Sequence, residues 1–300
     1  MEQILVKPSW LKIRPPTETY PKVREIIRSH SLHTVCQESH CPNMSECWSG
    51  GTATFMVMGD TCTRGCKFCA VKTGNPMKKL DHDEPKKLAQ AIKELGLFEY
   101  IVITSVDRDD LEDQGSGHFA ECIKEVKNAH PGIIVEVLIP DFRGRIDLLK
   151  KIVEAKPDVI AHNIETVESL QRKVRDVRAN YAQSLSVLEN VKKLNPKIYT
   201  KSSIMLGLGE KKEEVIKAMQ DLRAINTDII TFGQYLRPSS WHLPVIEYVP
   251  PEKFKYYEQS AKSTGFLYCA AGPFVRSSYR AGELFMKGRI ESERVIGSGE

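Results

Sequence analysis

Three cysteines, Cys62, Cys66 and Cys69, lie within eight residues in the spacing C-x3-C-x2-C. Thiolates this close in sequence can converge on one metal centre, and three of them leave one coordination position open. A zinc ribbon takes its ligands as two C-x2-C pairs, which this spacing does not match. A [4Fe–4S] cluster normally takes four cysteines. A cluster held by only these three would therefore keep one iron free for a small molecule.

A second group of cysteines, Cys36, Cys41 and Cys47, precedes the first in the spacing C-x4-C-x5-C. Six of the eight cysteines thus fall within 34 residues, whereas Cys122 and Cys269 are isolated. Clustered cysteines in a cytosolic chain more often bind metal or take part in catalysis than form disulfides. We therefore expect a second metal centre that also lacks one ligand, and we expect the two isolated cysteines to be buried apolar side chains.

Length and composition set limits on the fold and the location. The chain has 300 residues, 41% of them apolar, which can bury the core of one barrel-sized domain or of two smaller ones. No apolar run approaches the ~18 residues of a transmembrane helix, and the segment from Met1 to Trp10 lacks a signal pattern. We expect a cytoplasmic protein with no membrane partner.

The charge pattern argues against a nucleic-acid partner. The net charge is +4, with basic and acidic residues interleaved rather than in blocks. Such a balance is mostly typical of an ordinary solvated surface, and it suits an acidic protein partner as well as it suits a nucleic acid. We expect no nucleic-acid partner.

The hydrophobic pattern of residues 52–235 alternates between strands and helices. Apolar runs predict strands at 52–58, 100–104, 133–139, 158–162, 198–205 and 228–232. Amphipathic segments predict helices at 83–95, 117–129, 146–155, 180–194 and 211–225. This alternation is typical of βαβ units, and the continuous apolar strands are typical of a parallel sheet covered on both faces. We predict an α/β fold, a partial or complete six-stranded parallel (β/α)6 barrel like a TIM barrel, with a doubly wound sheet as the alternative.

The segments that flank this barrel have a different pattern. Residues 1–51 are broken up by prolines and carry the second cysteine group, so we predict an N-terminal arm. The barrel domain would then occupy residues 52–235. Residues 236–300 form a predicted C-terminal extension with a proline-rich loop, a helix and a short strand at 265–270. The polar segment 291–300 is expected to fray.

Polar residues follow the predicted strands at their carboxyl ends, where parallel barrels carry their active sites. The first strand leads into the Cys62–Cys69 loop, the second ends at Thr104 and Ser105, and the fourth ends at Asn163 and Glu165. An amide and a carboxylate that alternate along a strand end can bind ribose hydroxyls or an amine, or they can cap the next helix. Because polar groups follow all six strands, we predict a binding site at this end.

The motif C-x3-C-x2-C after a first strand resembles the radical S-adenosylmethionine superfamily. In that superfamily the open iron binds S-adenosylmethionine, one electron is donated to its sulfonium, and cleavage yields a 5′-deoxyadenosyl radical. The resemblance implies that Cys62, Cys66 and Cys69 hold this cluster. We predict that S-adenosylmethionine lies against the strand-end residues Thr104, Ser105, Asn163 and Glu165.

Further motifs narrow the resemblance to the lipoyl synthase family, over nearly the whole chain. The matching blocks are 36–48, 102–118 (VITSVDRDDLEDQGSGH), 136–144 (EVLIPDFRG), 162–167 (HNIETV), 200–210 (TKSSIMLGLGE), 233–236 (GQYL), 242–245 (HLPV) and 276–279 (RSSY). So many blocks in one order are highly specific. Ser203 replaces an expected glycine and Cys269 lies in a stretch usually of small residues, but neither belongs to a ligand motif.

This resemblance implies two [4Fe–4S] clusters with separate roles. Cys36, Cys41 and Cys47 would hold an auxiliary cluster, and the matching serine of the RSSY motif, Ser277, would complete its ligands. An oxygen ligand is displaceable, which suits a cluster that has to open. Taken alone, Ser277 would be explained as the N-cap of a helix over 279–285. The catalytic set is then Cys62, Cys66, Cys69 and Ser277.

The implied activity is that of a sulfurtransferase. Its substrate is an octanoyl chain in amide linkage to a lysine of a lipoyl carrier domain, and sulfur is inserted at carbons 6 and 8 from the auxiliary cluster, with one S-adenosylmethionine per carbon. Implied partners are the octanoylated carrier (the glycine cleavage H protein or the E2 subunit of a 2-oxoacid dehydrogenase), an electron donor such as ferredoxin or flavodoxin, and an iron–sulfur carrier. Lipoyl carriers tend to be acidic, which suits the net charge of +4.

Two other functions remain as alternatives. A radical methylthiotransferase acting on tRNA also uses two clusters, but it predicts a separate N-terminal domain with well-spread cysteines and a basic C-terminal RNA-binding domain, and neither pattern is present. A zinc-stabilised binding module would contain tightly bound zinc and no acid-labile sulfide.

Overall fold

The computed structural model of the chain describes residues 7–11, 19–49, 53–77, 79–96, 99–278 and 288–290. The predicted helix over 279–285 and the predicted frayed end over 291–300 lie outside these residues. All six cysteines of the two groups, together with Ser277, lie within them. Every site residue predicted from the sequence can therefore be located.

The predicted alternation of strands and helices is confirmed, with ends shifted by at most two residues. The strands of the described residues are β1 (His33–Thr34), β2 (Thr54–Val57), β3 (Thr61–Cys62), β4 (Lys72–Thr73), β5 (Tyr100–Ser105), β6 (Ile134–Leu138), β7 (Val159–Ala161), β8 (Tyr199–Leu206), β9 (Ile229–Gln234) and β10 (Tyr268–Gly272). The helices are α1 (Thr19–Ser29), α2 (Val35–Glu38), α3 (Met44–Ser49), α4 (Glu84–Leu95), α5 (Ser116–Ala129), α6 (Ile146–Glu154), α7 (Gln171–Val174), α8 (Tyr181–Leu194), α9 (Lys212–Ala224) and α10 (Pro251–Thr264).

One large sheet organises the described part of the chain, in the strand order β1-β2-β5-β6-β7-β8-β9-β10. From β2 to β10 every neighbouring pair is parallel, and β1 is antiparallel to β2. The predicted α/β fold is confirmed, and β10 joins the six predicted strands as a seventh parallel strand. In the described residues the sheet is the partial form of the barrel, with an edge at β1 and another at β10.

Both flanking segments contribute a strand to this sheet. His33 of β1 pairs with Met56, and Tyr268 of β10 pairs with Ile229. The first pair lies across the predicted boundary at residue 51, and the second lies across the one at residue 235. The division into arm, barrel and extension stays a prediction, while the sheet itself runs through both proposed boundaries.

The two faces of each strand have different surroundings. Successive side chains of a strand point to opposite faces, and the outward face packs against the helices in two large cores. The isolated cysteines Cys122 and Cys269 are buried in these cores, as predicted. The inward face is apolar at the amino ends of the strands, where Tyr100, Val102, Ile134, Val159, Tyr199, Ile229 and Ile290 form a small cluster. At the carboxyl ends it is polar, and there it borders a cavity.

The N-terminal arm is packed onto this frame by aromatic and aliphatic side chains. Trp48 of α3 is fully buried, and its ring centroid lies 5.0 Å from that of Tyr20 in α1. Val23 and Ile27 of α1 are buried in the same core as the sheet. No helix among the described residues is long and apolar enough to cross a membrane.

A buried ion pair joins two strands on the inward face. Lys201 Nζ lies 2.7 and 2.9 Å from the carboxylate oxygens of Glu136, and the Tyr100 hydroxyl donates to the same carboxylate. The side chains of Glu136 and Lys201 are only 2% and 5% exposed. Removing one partner would leave a charge buried without compensation.

We therefore predict that Lys201→Met lowers the free energy of unfolding by about 3–5 kcal/mol, measured by urea denaturation of the apo chain. The matched control is Lys193→Met, whose partner Glu189 lies at 2.9 Å across an exposed helix surface, with side chains 63% and 42% exposed. The control should change the free energy by less than about 1 kcal/mol. Equal effects of the two substitutions would contradict the role given to the buried pair.

Candidate active site

A single cavity of about 550 Å³ lies at the carboxyl ends of the parallel strands. It is lined by residues of the cysteine loop, of the N-terminal arm, of the strand ends and of the segment after β10. Every site residue predicted from the sequence lines it, namely Cys36, Cys41, Cys47, Cys62, Cys66, Cys69, Thr104, Ser105, Asn163, Glu165 and Ser277. These residues therefore lie around one cavity, and the roles given to them stay predictions.

Backbone groups from distant loops orient the cysteine loop. The Cys62 thiol accepts from the backbone N–H groups of Arg64 and Asp107, each at 3.4 Å. The Cys66 thiol accepts from the backbone N–H of Asp176 at 3.3 Å. The loops after β5 and α7 thus bracket the motif and direct two of its three sulfurs.

Burial makes these thiols hard to ionise in the absence of a positive charge. Burial raises the pKa of Cys62 and of Cys66 to about 12, and that of Cys69 to about 11. The thiolate is the form that binds metal, and a bound cation deprotonates the thiol outright. The three thiols are therefore neutral without a bound cation, and a cationic centre among them would convert them to thiolates.

Arg64, between the first two cysteines of the motif, holds the loop in place. Its guanidinium donates to Asp141 at 2.6 and 2.7 Å and to Asp109 at 2.9 and 3.1 Å. Burial disfavours its charge, but the hydrogen bonds that it donates to both carboxylates more than offset this and raise the pKa of Arg64. Because Asp109 follows β5 and Asp141 follows β6, Arg64 ties the cysteine loop to two strand ends.

Two short helices arrange the second cysteine group. Cys36 lies in α2, which begins after Thr34, whose hydroxyl accepts from the backbone N–H of Gln37 at 3.3 Å. The backbone N–H of Cys41 then donates to Cys36 O at 3.0 Å, which closes a tight turn. Cys47 lies in α3, so all three thiols are presented from one compact segment.

The surroundings of Cys36 suit a sulfur-rich centre. Burial raises the pKa of the Cys36 thiol to about 11, which the nearby Thr54 backbone and Trp48 indole only partly oppose. The indole N–H of Trp48 is buried beside the Cys36 sulfur and makes no other hydrogen bond in the described part of the chain. A thiolate at Cys36 would accept from this donor more strongly than the thiol does.

Ser277 reaches this group through a close approach of two backbones. A Cβ on Gly233 of β9 would lie 2.1 Å from Val275 O, so a side chain at Gly233 would push the following segment away. The Ser278 hydroxyl accepts from Thr54 Oγ1 at 3.0 Å, which fixes the segment to β2. Ser277 therefore faces the same cavity as Cys47, although 230 residues separate them in the chain.

A further hydrogen bond links the two segments. Asn43, between Cys41 and Cys47, donates through Nδ2 to Phe274 O at 2.6 Å. The loop that carries the second cysteine group and the segment that carries Ser277 are thus joined directly. The alternative role of Ser277, an N-cap for residues 279–285, concerns a helix outside the described residues.

Asn163 and Glu165 lie side by side at the end of β7. Asn163 Nδ2 donates to Glu165 Oε1 at 3.1 Å, and burial raises the pKa of Glu165. The helical turn that follows begins at Glu168 with Val167 as its N-cap, so the capping role considered from sequence is not the one found here. The pair instead faces the cavity.

Two polar atoms on this side of the cavity lack partners. The oxygens Asn163 Oδ1 and Ser105 Oγ are buried without a hydrogen-bond partner among the described residues. Thr104, by contrast, donates through Oγ1 to Leu138 O at 3.0 Å. Unpartnered buried polar atoms are rare, and here they indicate room for a polar ligand between β5 and β7.

The spacing of the thiols argues against a single metal ion. Four ligands 2.3 Å from a tetrahedral zinc lie roughly 3.8 Å from one another. In the described residues, the one trio of potential ligands whose atoms all lie within 4.8 Å of each other is Glu84, His118 and Cys122, which lie outside the cavity. Neither cysteine group is that compact, so neither forms a ready-made site for a single zinc ion in the described residues.

Some contacts of the site were not predicted. The backbone N–H of Asp107 donates to the Cys62 thiol, and the acidic run after β5 could have indicated that this residue belongs to the site. Burial raises the pKa of the Asp107 carboxyl to about 6. His242, whose Nε2 lies 2.9 Å from Cys69 O, is 173 residues from its partner. Asp176 is 110 residues from Cys66. Nothing in the local sequence around these two residues indicates such contacts.

Comparisons with known proteins agree with this architecture. Residues 56–222 match the Radical SAM superfamily. A lipoyl synthase of Anaeromyxobacter dehalogenans is 58% identical over 287 residues, which cover 95% of this chain and 97% of the relative. A lipoyl synthase of Halobacterium salinarum is 59% identical over 296 residues, which cover 97% of this chain and 94% of the relative.

Among solved structures, the crystal structure of methylornithine synthase is similar at a TM-score of 0.53 and 13% identity, over 90% of this chain and 86% of that protein, which shows the fold alone. Membership of the radical superfamily implies S-adenosylmethionine and one [4Fe–4S] cluster, and the Cys62–Cys69 loop fits the cluster. Since nearly the whole chain is matched at more than half identity, the chain belongs to the lipoyl synthases, a family of sulfurtransferases within the radical S-adenosylmethionine superfamily.

Proposed function

We propose that the chain inserts two sulfur atoms, at carbons 6 and 8, into an octanoyl chain carried on a lysine of a lipoyl carrier protein. The observation that carries this proposal is that both cysteine groups and Ser277 line one cavity. A radical source and a sulfur source must both reach the same acyl chain. A shared cavity of about 550 Å³ gives them a common space.

The Cys62–Cys69 side of the cavity is proposed as the radical side. Cys62, Cys66 and Cys69 hold a [4Fe–4S] cluster, which together with bound S-adenosylmethionine supplies a 5′-deoxyadenosyl radical. The Ser105 hydroxyl then donates to or accepts from S-adenosylmethionine, and Asn163 Oδ1 accepts a hydrogen bond from it. Glu165, held by Asn163, presents a carboxyl group to an amine or to ribose hydroxyls.

The Cys36–Cys47 side is proposed as the sulfur side. Cys36, Cys41 and Cys47 hold the auxiliary cluster, and Ser277 adds an oxygen ligand that can be displaced. The support is that Asn43 and Thr54 fasten the Ser277 segment to this side of the cavity. A carboxyl-terminal segment fixed in this way keeps the weak ligand near the thiols.

The partners follow from the same reaction. The substrate protein is an octanoylated lipoyl carrier, either the glycine cleavage H protein or a 2-oxoacid dehydrogenase E2. An electron donor such as ferredoxin or flavodoxin supplies reducing equivalents, and an iron–sulfur carrier restores the auxiliary cluster. We place the reaction in the cytoplasm.

Substitution of one cysteine from each group tests the division of labour. Cys62→Ala should abolish formation of 5′-deoxyadenosine, because the radical side loses a ligand. Cys36→Ala should preserve that product but abolish sulfur insertion. Chromatography of the products measures both. The iron content should be about eight atoms per reconstituted wild-type chain and about four in either variant.

The matched control is Cys122→Ala, which removes a buried thiol outside the cavity and should leave iron content and both products unchanged. If the variants at positions 36 and 62 lose 5′-deoxyadenosine equally, the proposed separation of roles is wrong. If the wild-type chain takes up only one cluster after full reconstitution, the auxiliary cluster is wrong.

Asn163→Ala should weaken the binding of S-adenosylmethionine about tenfold, since it removes an amide whose oxygen has no other partner. Equilibrium binding to the reconstituted protein measures the change. The control is Asn190→Ala in α8, which removes only a hydrogen bond to Ser186 and should leave affinity unchanged. An unaltered affinity in the Asn163 variant, with its iron content intact, would contradict the assignment.

A further inference from the structure

A basic segment, residues 171–178 with the sequence QRKVRDVR, lies against the outside of the cysteine loop. The backbone N–H of Asp176 donates to the Cys66 thiol at 3.3 Å, and the Asp176 carboxylate accepts from Gly65 N at 2.8 Å. The backbone N–H of Lys67 donates to Val174 O at 2.9 Å. The segment therefore lies in direct contact with one of the predicted cluster ligands.

The outer surface of this region is charged and apolar. Lys67, Arg172 and Lys173 are exposed, and Val177 is 89% exposed. None of these four residues lines the cavity, whereas the neighbouring Cys66 does. They are therefore exposed outside the cavity lining, next to a loop whose Cys66 faces the cavity. We call these four residues the basic patch.

The charges of the basic patch are available to a partner. The side chains of Lys67, Arg172 and Lys173 make no hydrogen bond or ion pair with any residue that the structure describes. Arg178, next to the patch, is instead held by Asp176 and by Thr63 O. Glu168, the acidic residue on the preceding turn, instead interacts electrostatically with Tyr181 and Lys217 and raises the pKa of each.

A positively charged surface with an apolar centre selects an acidic protein, because complementary potentials steer encounter and orient the complex. Three proteins have to approach the enzyme in the proposed function, and one of them, the iron–sulfur carrier, has to reach the auxiliary cysteines inside the cavity. The acylated carrier must place its chain inside the cavity, and the basic patch does not border that cavity. An electron donor needs only to come close to the metal centre, and the basic patch is the outer surface beside Cys66.

We propose that the basic patch is the docking surface for an acidic one-electron carrier protein, which delivers its electron to the metal centre held by Cys66. The reduced carrier loses one electron, the centre gains one, and no atom or proton is transferred. This inference rests on the proposed function, since it is the cleavage of S-adenosylmethionine that consumes the electron.

The test compares a protein donor with a small reductant on the reconstituted enzyme. The variant Arg172→Glu/Lys173→Glu is assayed for 5′-deoxyadenosine with reduced flavodoxin or with sodium dithionite, which needs no docking surface. With flavodoxin the rate should fall at least about tenfold, and with dithionite it should stay unchanged. The dissociation constant for oxidised flavodoxin, measured by calorimetry, should rise at least about tenfold.

The matched control is Lys156→Glu/Lys197→Glu, which reverses two exposed charges that precede β7 and β8, at the opposite ends of the strands. It should leave both rates and the affinity unchanged. Unchanged flavodoxin affinity and rate in the patch variant would overturn the inference, as would weaker binding of the octanoylated carrier with flavodoxin unaffected. Absence of 5′-deoxyadenosine from the wild-type enzyme with dithionite would overturn the proposed function itself, and the inference with it.

Discussion

The buried guanidinium of Arg64 is the interaction on which the rest of the site depends. It lies within the cysteine motif and binds Asp109 and Asp141, which follow two adjacent parallel strands. Removing such a buried charge lowers the free energy of unfolding by about 3–5 kcal/mol, because the carboxylates are left uncompensated. Loss of the Arg64 side chain would also release the loop that carries Cys62, Cys66 and Cys69. The parallel sheet brings these two strand ends together. Because Arg64 binds the aspartates that follow them, it fixes the position of the loop that carries the three thiols.

The second half of the site depends on the edges of the same sheet. β1 joins the arm to β2, and β10 leads into the segment with Ser277. Two hydrogen bonds, from Asn43 to Phe274 and from Thr54 to Ser278, then hold the segment with Ser277 against the arm and against β2. In the proposed function, sulfur is stored on one side of the cavity and the radical forms on the other, so both sides have to be anchored to one frame. The open-edged sheet provides that frame, since each cysteine group is tied to a different part of it.

Much of this was predictable because it follows from local patterns. Helical and strand periodicity located each barrel element within two residues, and the spacing from Cys62 to Cys69 indicated an open metal centre. The rule that parallel strands present their chemistry at the carboxyl ends placed Ser105 and Asn163 in the cavity. The rest depends on contacts between distant residues. β1 has two residues and no periodicity of its own, and the contact of Asp176 with Cys66 spans 110 residues. Ser277 could be placed only through its family motif.

The central claim is that the two sides of the cavity act on one acyl chain, with the auxiliary cluster as the sulfur source. Mass spectrometry of an octanoylated carrier peptide tests it most directly, after anaerobic incubation with reductant, S-adenosylmethionine and enzyme reconstituted with isotopically labelled sulfide. The account predicts a product that has gained two labelled sulfur atoms, with no net change in hydrogen as the reduced dithiol and with two hydrogens fewer after oxidation to the disulfide. A peptide that stays octanoylated while 5′-deoxyadenosine accumulates, or one that gains only unlabelled sulfur, would contradict it.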